Sequence, residues 1–241
     1  MLDDEMINYA LKKFIDDNEE LINTYQWAEL YENAADKLSD FGAVGKFTEL
    51  LLSEGIDPLE KLDYIPDHYL TGASIDKFVV PKHIKRIKQF AFANCSQLTD
   101  VIIPEGVTSI DYGAFCGCES LEQVHIPDSV TELGLFVFSD CSGLVSVTLG
   151  KGVREIPPAA FYNCANLKQV DIFNGVTIIR AHAFTHCRSL TKIIIPDSVK
   201  EIDREAFLLC DGKNLPITIC ASKGSYAKRF ALENNFAFEE I

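Results

Sequence analysis

Residues 107–130 read VTSIDYGAFCGCESLEQVHIPDSV, and the same pattern recurs every 23 residues on both sides. Cysteines fall at Cys95, Cys118, Cys141, Cys164, Cys187 and Cys210. Phenylalanines keep step at Phe92, Phe115, Phe138, Phe161, Phe184 and Phe207. Three aliphatic columns run beside them, through Ile110, Val107 and Leu121 and their counterparts. Five apolar columns in register over six units specify a repeat solenoid. Within a unit, Val124 and Ile126 alternate with polar residues, which predicts a half-buried strand that Pro127 then ends. Val107 and Ile110 predict a second, shorter extended piece. The A-F-x-x-C segment predicts a tight helical turn with Phe and Cys pointing inward. One unit of this size cannot bury its own apolar face. A stack can, with neighbouring strands ~4.8 Å apart and a rod roughly 30 Å long.

Both ends of the array need closing. Ile75, Phe78, Val80 and Pro81 form a partial unit before the first. After Cys210 the register slips by one residue, and Ile217 and Ile219 take the strand columns. Tyr226, Phe230 and Leu232 then predict an amphipathic helix with Ser225 as its N-cap. Residues 236–241, FAFEEI, predict a closing strand.

The unit resembles the BspA-like leucine-rich repeat, also called the Treponema pallidum type, over about residues 72–221. The KGSYAKRFALENN stretch resembles the tail that often ends such arrays. The resemblance implies a leucine-rich-repeat right-handed solenoid used as a scaffold for adhesion or protein recognition, with no catalytic residues. Many members are secreted or surface-bound.

The chain has 241 residues and a formal charge of −14. Residues 1–75 hold 5 basic and 17 acidic side chains, so nearly all the excess sits in one segment. Such a chain has no electrostatic footprint for direct nucleic-acid binding. No apolar run approaches the ~20 residues of a membrane helix. Residues 3–66 read as helices. Ile7, Ala10, Leu11, Phe14 and Ile15 form one apolar face, with Asp3 or Asp4 as cap. Trp27, Leu30, Tyr31, Ala34, Ala35 and Leu38 form a second. Phe47, Leu50, Leu51 and Leu52 form a third, with Gly55 at the C-cap. Asp57 and Pro58 open a short fourth helix, from which Leu59, Leu62 and Ile65 dock on the array. The expected architecture is an α+β repeat solenoid in three parts: an acidic helical domain at 1–71, the solenoid at 72–221, and a cap helix and strand at 222–241. The acidic segment is either a cap with a solvated surface or a binding head.

Catalytic and metal chemistry find little support. Six cysteines belong to the core column, and a buried thiol behaves as a small apolar side chain. Cys116 and Cys220 lie outside the column and are expected nearer the surface. His182 and His186 have zinc-like spacing, but they sit in a repeat turn with no accompanying carboxylate pattern. No nucleophile elbow, P-loop or dinucleotide fingerprint is present. The expectation is a protein that is not an enzyme and takes no cofactor and no metal. A reduced thiol column and a start unlike a secretory signal set a cytoplasmic expectation.

Binding of a partner protein remains, at two surfaces. One is the solenoid wall, whose outward row is Val79, Ile102, His125, Thr148, Asp171 and Ile194 beside the row of Lys77, Asp100, Gln123, Ser146, Gln169 and Lys192. The other is an aromatic flank. Phe90, Tyr112, Leu135 and Phe136 stand, in three successive units, where the resembled family usually places small or polar residues, and Phe173 stands where it commonly has Pro or a small residue. Clustered exposed aromatics are hot-spot material unless the N-terminal helices cover them. Two alternatives stay open: an acidic inhibitor that imitates nucleic acid and blocks a host nucleic-acid-binding or defence enzyme, and a cell-surface adhesin lacking its leader.

Overall fold

The computed structural model describes residues 4–23, 26–37, 41–53, 55–209 and 212–241. Between residues 64 and 240 the chain winds into stacked coils with two faces of parallel strands. The first face, the wall, holds β2 (Lys77–Val79), β4 (Asp100–Ile102), β6 (Gln123–His125), β8 (Ser146–Thr148), β10 (Gln169–Asp171), β12 (Lys192–Ile194), β14 (Thr218–Ala221) and β15 (Ala237–Glu240). The second holds β1 (Tyr64–Ile65), β3 (Arg86–Ile87), β5 (Ser109–Ile110), β7 (Glu132–Leu133), β9 (Glu155–Ile156), β11 (Ile178–Ile179) and β13 (Glu201–Ile202). Register follows the repeat: Ile87 lies opposite Ile110, and Val124 opposite Val147. The ladder begins at Tyr64, paired with Arg86, inside the segment numbered 1–71.

The second face is continuous through β1, β3, β5 and β7, breaks, and resumes through β9, β11 and β13. A single residue accounts for the break. Asp111 N–H donates to the Ile87 carbonyl at 2.8 Å, Gly134 N–H to Ile110 at 2.7 Å and Arg180 N–H to Ile156 at 3.0 Å. The equivalent donor for Leu133 would be Pro157, which has no N–H.

The turns depart from the expected helical turn. Phe90, Gly113, Phe136, Ala159 and His182 have φ between 54° and 59°, and Asn94, Gly117, Asp140, Asn163 and His186 have φ between 57° and 74°. Two left-handed residues per coil reverse the chain twice around each core Phe. Their backbone groups bond to the next coil, as Phe92 N–H does to Ala114 at 2.8 Å, so the turn buries no orphan donor there. Asn, Asp and His tolerate this conformation best among residues with a Cβ, which explains His182 and His186 without a metal.

The core is an aromatic spine. Phe92, Phe115, Phe138, Phe161, Phe184 and Phe207 are fully buried, with adjacent ring centroids 5.1 to 5.8 Å apart and planes within 15° of parallel. Beside it run the cysteines. The thiols of Cys118, Cys141, Cys164 and Cys187 donate to the carbonyls of Phe92, Phe115, Phe138 and Phe161 at 3.1 Å. A small residue with a weak donor suits a site that is apolar but faces a carbonyl. Cys210 lies outside the described residues. Cys220, expected near the surface, is buried under β15, while Cys116 is half-buried. Burial pushes the Cys95 thiol up to about 12 and the Cys116 thiol up to about 11. Alkylation of the native protein at neutral pH should therefore be slow and start at Cys116, with the column thiols reacting only on unfolding. Mass mapping after iodoacetamide treatment checks the order.

Helices lie at the two ends. At the N-terminus α1 (Asp4–Asp17), α2 (Glu19–Asn23), α3 (Trp27–Lys37) and α4 (Phe41–Ser53) precede a 3-10 turn at Pro58–Lys61, where Asp57 accepts from Leu59 N–H at 2.9 Å. Leu11, Phe14, Trp27, Leu30, Tyr31, Ala34, Phe47 and Leu51 are buried as expected. Leu50 and Leu52 are not; the buried face of α4 runs instead through Ala43, Val44, Phe47, Thr48 and Leu51, the i, i+3, i+4 stripe. Leu38 and Asp3 lie outside the described residues, as do the side chains of Ile7, Ala10 and Ala35. Aromatic contacts tie this head to the spine: Tyr31 to Tyr69 at 5.8 Å, Tyr69 to Phe78 at 6.5 Å and Phe78 to Phe92 at 4.8 Å. A Cβ on Gly45 would fall 2.2 Å from the Thr71 carbonyl oxygen, so α4 meets the first coil through a glycine. At the other end α5 (Tyr226–Glu233) has Ser225 as N-cap, accepting from Lys228 N–H, and β15 closes the wall beside β14.

Candidate interaction surface

The flank residues converge. Phe90 and Tyr112 rings lie 5.0 Å apart, and Tyr112 and Phe136 lie 5.7 Å apart, both edge to face. His68 adds a fourth ring, stacked on Phe90 at 5.1 Å. The ladder crosses four coils. Its N-terminal end is covered: His68 is buried, and Thr71 Oγ1 donates to the Phe90 carbonyl at 2.7 Å. Its other end is open, with Tyr112 40%, Leu135 45% and Phe136 37% exposed.

The backbone beneath it is strained. Phe90 and Phe136 hold left-handed conformations at φ 55° and 57°, where the equivalent coil has Gly113. A bulky residue there is disfavoured by about 1 kcal/mol or more. The Phe90 ring lies over Gly113, where a Cβ would come 2.6 Å from the ring. Glycine at 113 thus makes the room into which the ladder folds.

Burial against Phe90 lowers the His68 pKa to about 4, so its ring stacks uncharged at neutral pH. The unfolded chain, near 6.5, takes up a proton first as pH falls. His68 therefore contributes stability that is complete above about pH 6.5 and is lost as pH drops toward 4, on the order of 2 kcal/mol after allowance for solvent. Urea midpoints of the wild type and His68→Asn, compared at pH 7.5 and 4.5, should show the smaller loss in the variant.

Beside the ladder runs a groove of about 540 Å³ lined by Asp67, Arg86, Lys88, Ile110, Tyr112, Glu132 and Leu135, among others. Asp67 and Lys88 also line a second hollow of about 310 Å³ that reaches Glu32 on α3 and Tyr64. Arg86 Nε meets Asp111 Oδ2 at 2.8 Å, and Lys88 Nζ stands 4.0 Å from Asp67 and 4.2 Å from the centre of the Tyr64 ring.

The other sequence-predicted residues lie apart. Phe173 is exposed two residues beyond β10, with Lys151 Nζ 5.3 Å above its ring, and it extends the wall edge instead of the ladder. Ile102, His125, Thr148 and Asp171 line up on the wall, with His125 opposite Thr148 and Thr148 opposite Asp171, and Ile194 lies opposite Cys220. The wall comes in three sheets, β2–β4, β6–β8–β10 and β12–β14–β15. Its apolar members, Val79, Ile102 and Ile194, are each more than half exposed; Val79 lies opposite Ile102, while polar residues separate that pair from Ile194.

Stacked parallel coils with a Phe spine and a thiol column define a leucine-rich-repeat solenoid. The chain belongs to the BspA type leucine rich repeat family, whose pattern matches in six copies over residues 63–180, 87–214 and 154–237. It is a repeat family, with no catalytic family indicated. Two solved structures are similar. The T. pallidum leucine rich repeat protein is 27% identical with a TM-score of 0.59, covering 73% of this chain and 78% of that one. A leucine rich cell surface protein from Faecalibacterium prausnitzii is 26% identical with a TM-score of 0.52, covering 73% of this chain. The present chain spans 55% of that protein's length. No curated protein matches the chain. Among the described residues, no helix is long and apolar enough to cross a membrane.

Proposed function

We propose that this protein is a non-enzymatic recognition module whose main contact with a partner protein is the open end of the aromatic ladder. One observation carries this reading: Phe136 keeps an exposed ring on a left-handed backbone that glycine would adopt without strain. Strain retained at the surface and not relieved points to a use for the side chain. Tyr112 and Leu135 beside it supply the rigid apolar area typical of hot spots. The family supports the class, since its repeats serve as interaction scaffolds. The wall adds complementary area and little anchoring. The thiol column supports a reducing compartment. A cell-surface role is the second reading, favoured by the likeness to the F. prausnitzii protein, and would set the same ladder against an extracellular protein.

The test is comparative capture. Wild type and Tyr112→Ala/Phe136→Ala are immobilised and exposed to lysate and surface extract of the source cells. A stoichiometric protein retained by the wild type and lost by the folded variant supports the ladder. Equal retention removes it.

A further inference from the structure

We infer that the groove beside the ladder takes an extended, cationic segment of the partner, with arginine or lysine side chains alternating with apolar ones. This rests on the ladder reading and names the chemistry of its occupant. Three observations narrow the choice. First, the chain carries −14, so a second copy or an acidic partner meets repulsion, and a basic one is attracted at long range. Second, the local charge has the same sign. Asp67, Asp111 and Glu132 face the groove against Arg86 and Lys88, Glu32 lines the adjoining hollow, and each of those cations already has a carboxylate beside it. The Tyr64 hydroxyl between them is pushed up by burial and by the charges of Glu32, Asp63 and Asp67. Third, the hollow adjoining the groove already seats one cation on a ring, Lys88 over Tyr64. The exposed Tyr112 ring, which lines the groove, and the Phe136 ring beside it offer similar seats to a guanidinium.

Shape supports an extended occupant. The groove runs from Asp67 to Glu132 over three coil spacings, about 15 Å, and an extended chain advances about 3.3 Å per residue, so roughly five residues cover it. Side chains of alternating character would then meet alternating features. Apolar ones would pack on Tyr112, Leu133 and Leu135, and cationic ones would reach Asp67 and Glu132 on either side.

The probe is a short synthetic peptide of alternating arginine and leucine with one tryptophan, titrated by fluorescence polarisation against the full chain. A counterpart with glutamate for arginine is the control. Expected is saturable binding of the cationic peptide, about tenfold or more weaker for Asp67→Asn/Glu132→Gln, and changed less than about twofold for Asp16→Asn/Asp17→Asn. The latter removes the same charge from exposed positions on α1. Asparagine at 67 can still accept the Gln89 N–H, now bonded at 3.0 Å, so the fold is preserved. Equal weakening by the two double variants would reduce the effect to general charge and overturn the inference. So would binding of the glutamate peptide, or no binding of the cationic one. The two proposals separate on the captured partner. If Tyr112→Ala/Phe136→Ala loses it and Asp67→Asn/Glu132→Gln keeps it, the ladder stands and the cationic occupant falls. If both variants keep it, the ladder falls too.

Discussion

Phe138→Ala should lower the free energy of unfolding by about 4 kcal/mol, the largest loss from any single truncation in the array. The ring is fully buried and stacks on Phe115 at 5.4 Å and on Phe161 at 5.8 Å, so its removal empties a site walled by two coils. Truncating a buried Phe costs ~3–5 kcal/mol in transfer and cavity energy. Collapse cannot relieve the void, because the neighbouring coils are held by backbone bonds on both sides: Phe138 N–H to Ala160 at 2.9 Å, and Phe115 N–H to Val137 at 2.9 Å. Each coil touches only its neighbours, so a weak central coil also divides the stack. Urea unfolding followed by far-ultraviolet circular dichroism should show a lower midpoint and a shallower or split transition. A loss below ~1 kcal/mol with an unchanged slope would mean that the spine is not the continuous core described above.

Phe136→Gly should weaken partner binding at least about thirtyfold while lowering stability by only about 1–2 kcal/mol. Glycine relieves the left-handed strain at φ 57°, worth about 1–2 kcal/mol. Against that stand the lost edge contact with Tyr112, about 0.5–1 kcal/mol, and the greater entropy of an unfolded glycine. The ring also buries more than half of its surface, so the balance is a loss of about 1–2 kcal/mol. Binding has no such compensation, and loss of a central aromatic anchor typically costs 2 kcal/mol or more, at least about thirtyfold in affinity. Tyr112→Ala should act alike on binding, with a stability loss of about 1 kcal/mol because the ring supports its neighbours on both sides. The combination is diagnostic. A residue kept for the fold would lose stability and leave affinity unchanged, whereas one kept for recognition loses affinity while the protein stays folded. Titration calorimetry against the captured partner, beside thermal melts, measures both.

Much of this architecture was legible because the repeat pins five columns at once. Strand positions, the inward Phe and Cys, the Ser225 cap and the closing strand all follow from period and alternation. The turn was misread because helical spacing and a double left-handed reversal both bring Phe and Cys inward. The distinguishing signal was the Asn94, Gly117, Asp140, Asn163 column, which favours positive φ. One arc of coil was missed. Tyr64 to Ala73 pairs with the next coil at an offset of 22, with Leu70 in the Phe column and Ala73 in the Cys column, so neither spacing nor residue type marked it. With it went His68, the covered end of the ladder. The flank itself stood out from the sequence because Phe90 and Phe136 stand in a column otherwise held by Gly113, Ala159, His182 and Glu205. The groove did not, because Asp67, Lys88 and Glu132 come from separate coils and look like ordinary surface charge.

Backbone hydrogen exchange, read by mass spectrometry with and without the captured partner, locates the contact directly. The account predicts slowed exchange on the second face and its flank, in peptides spanning residues 86–90, 110–113 and 133–137. Wall strands β6 and β8 should change little. Protection confined to the wall, or to α1 and α2, would contradict it.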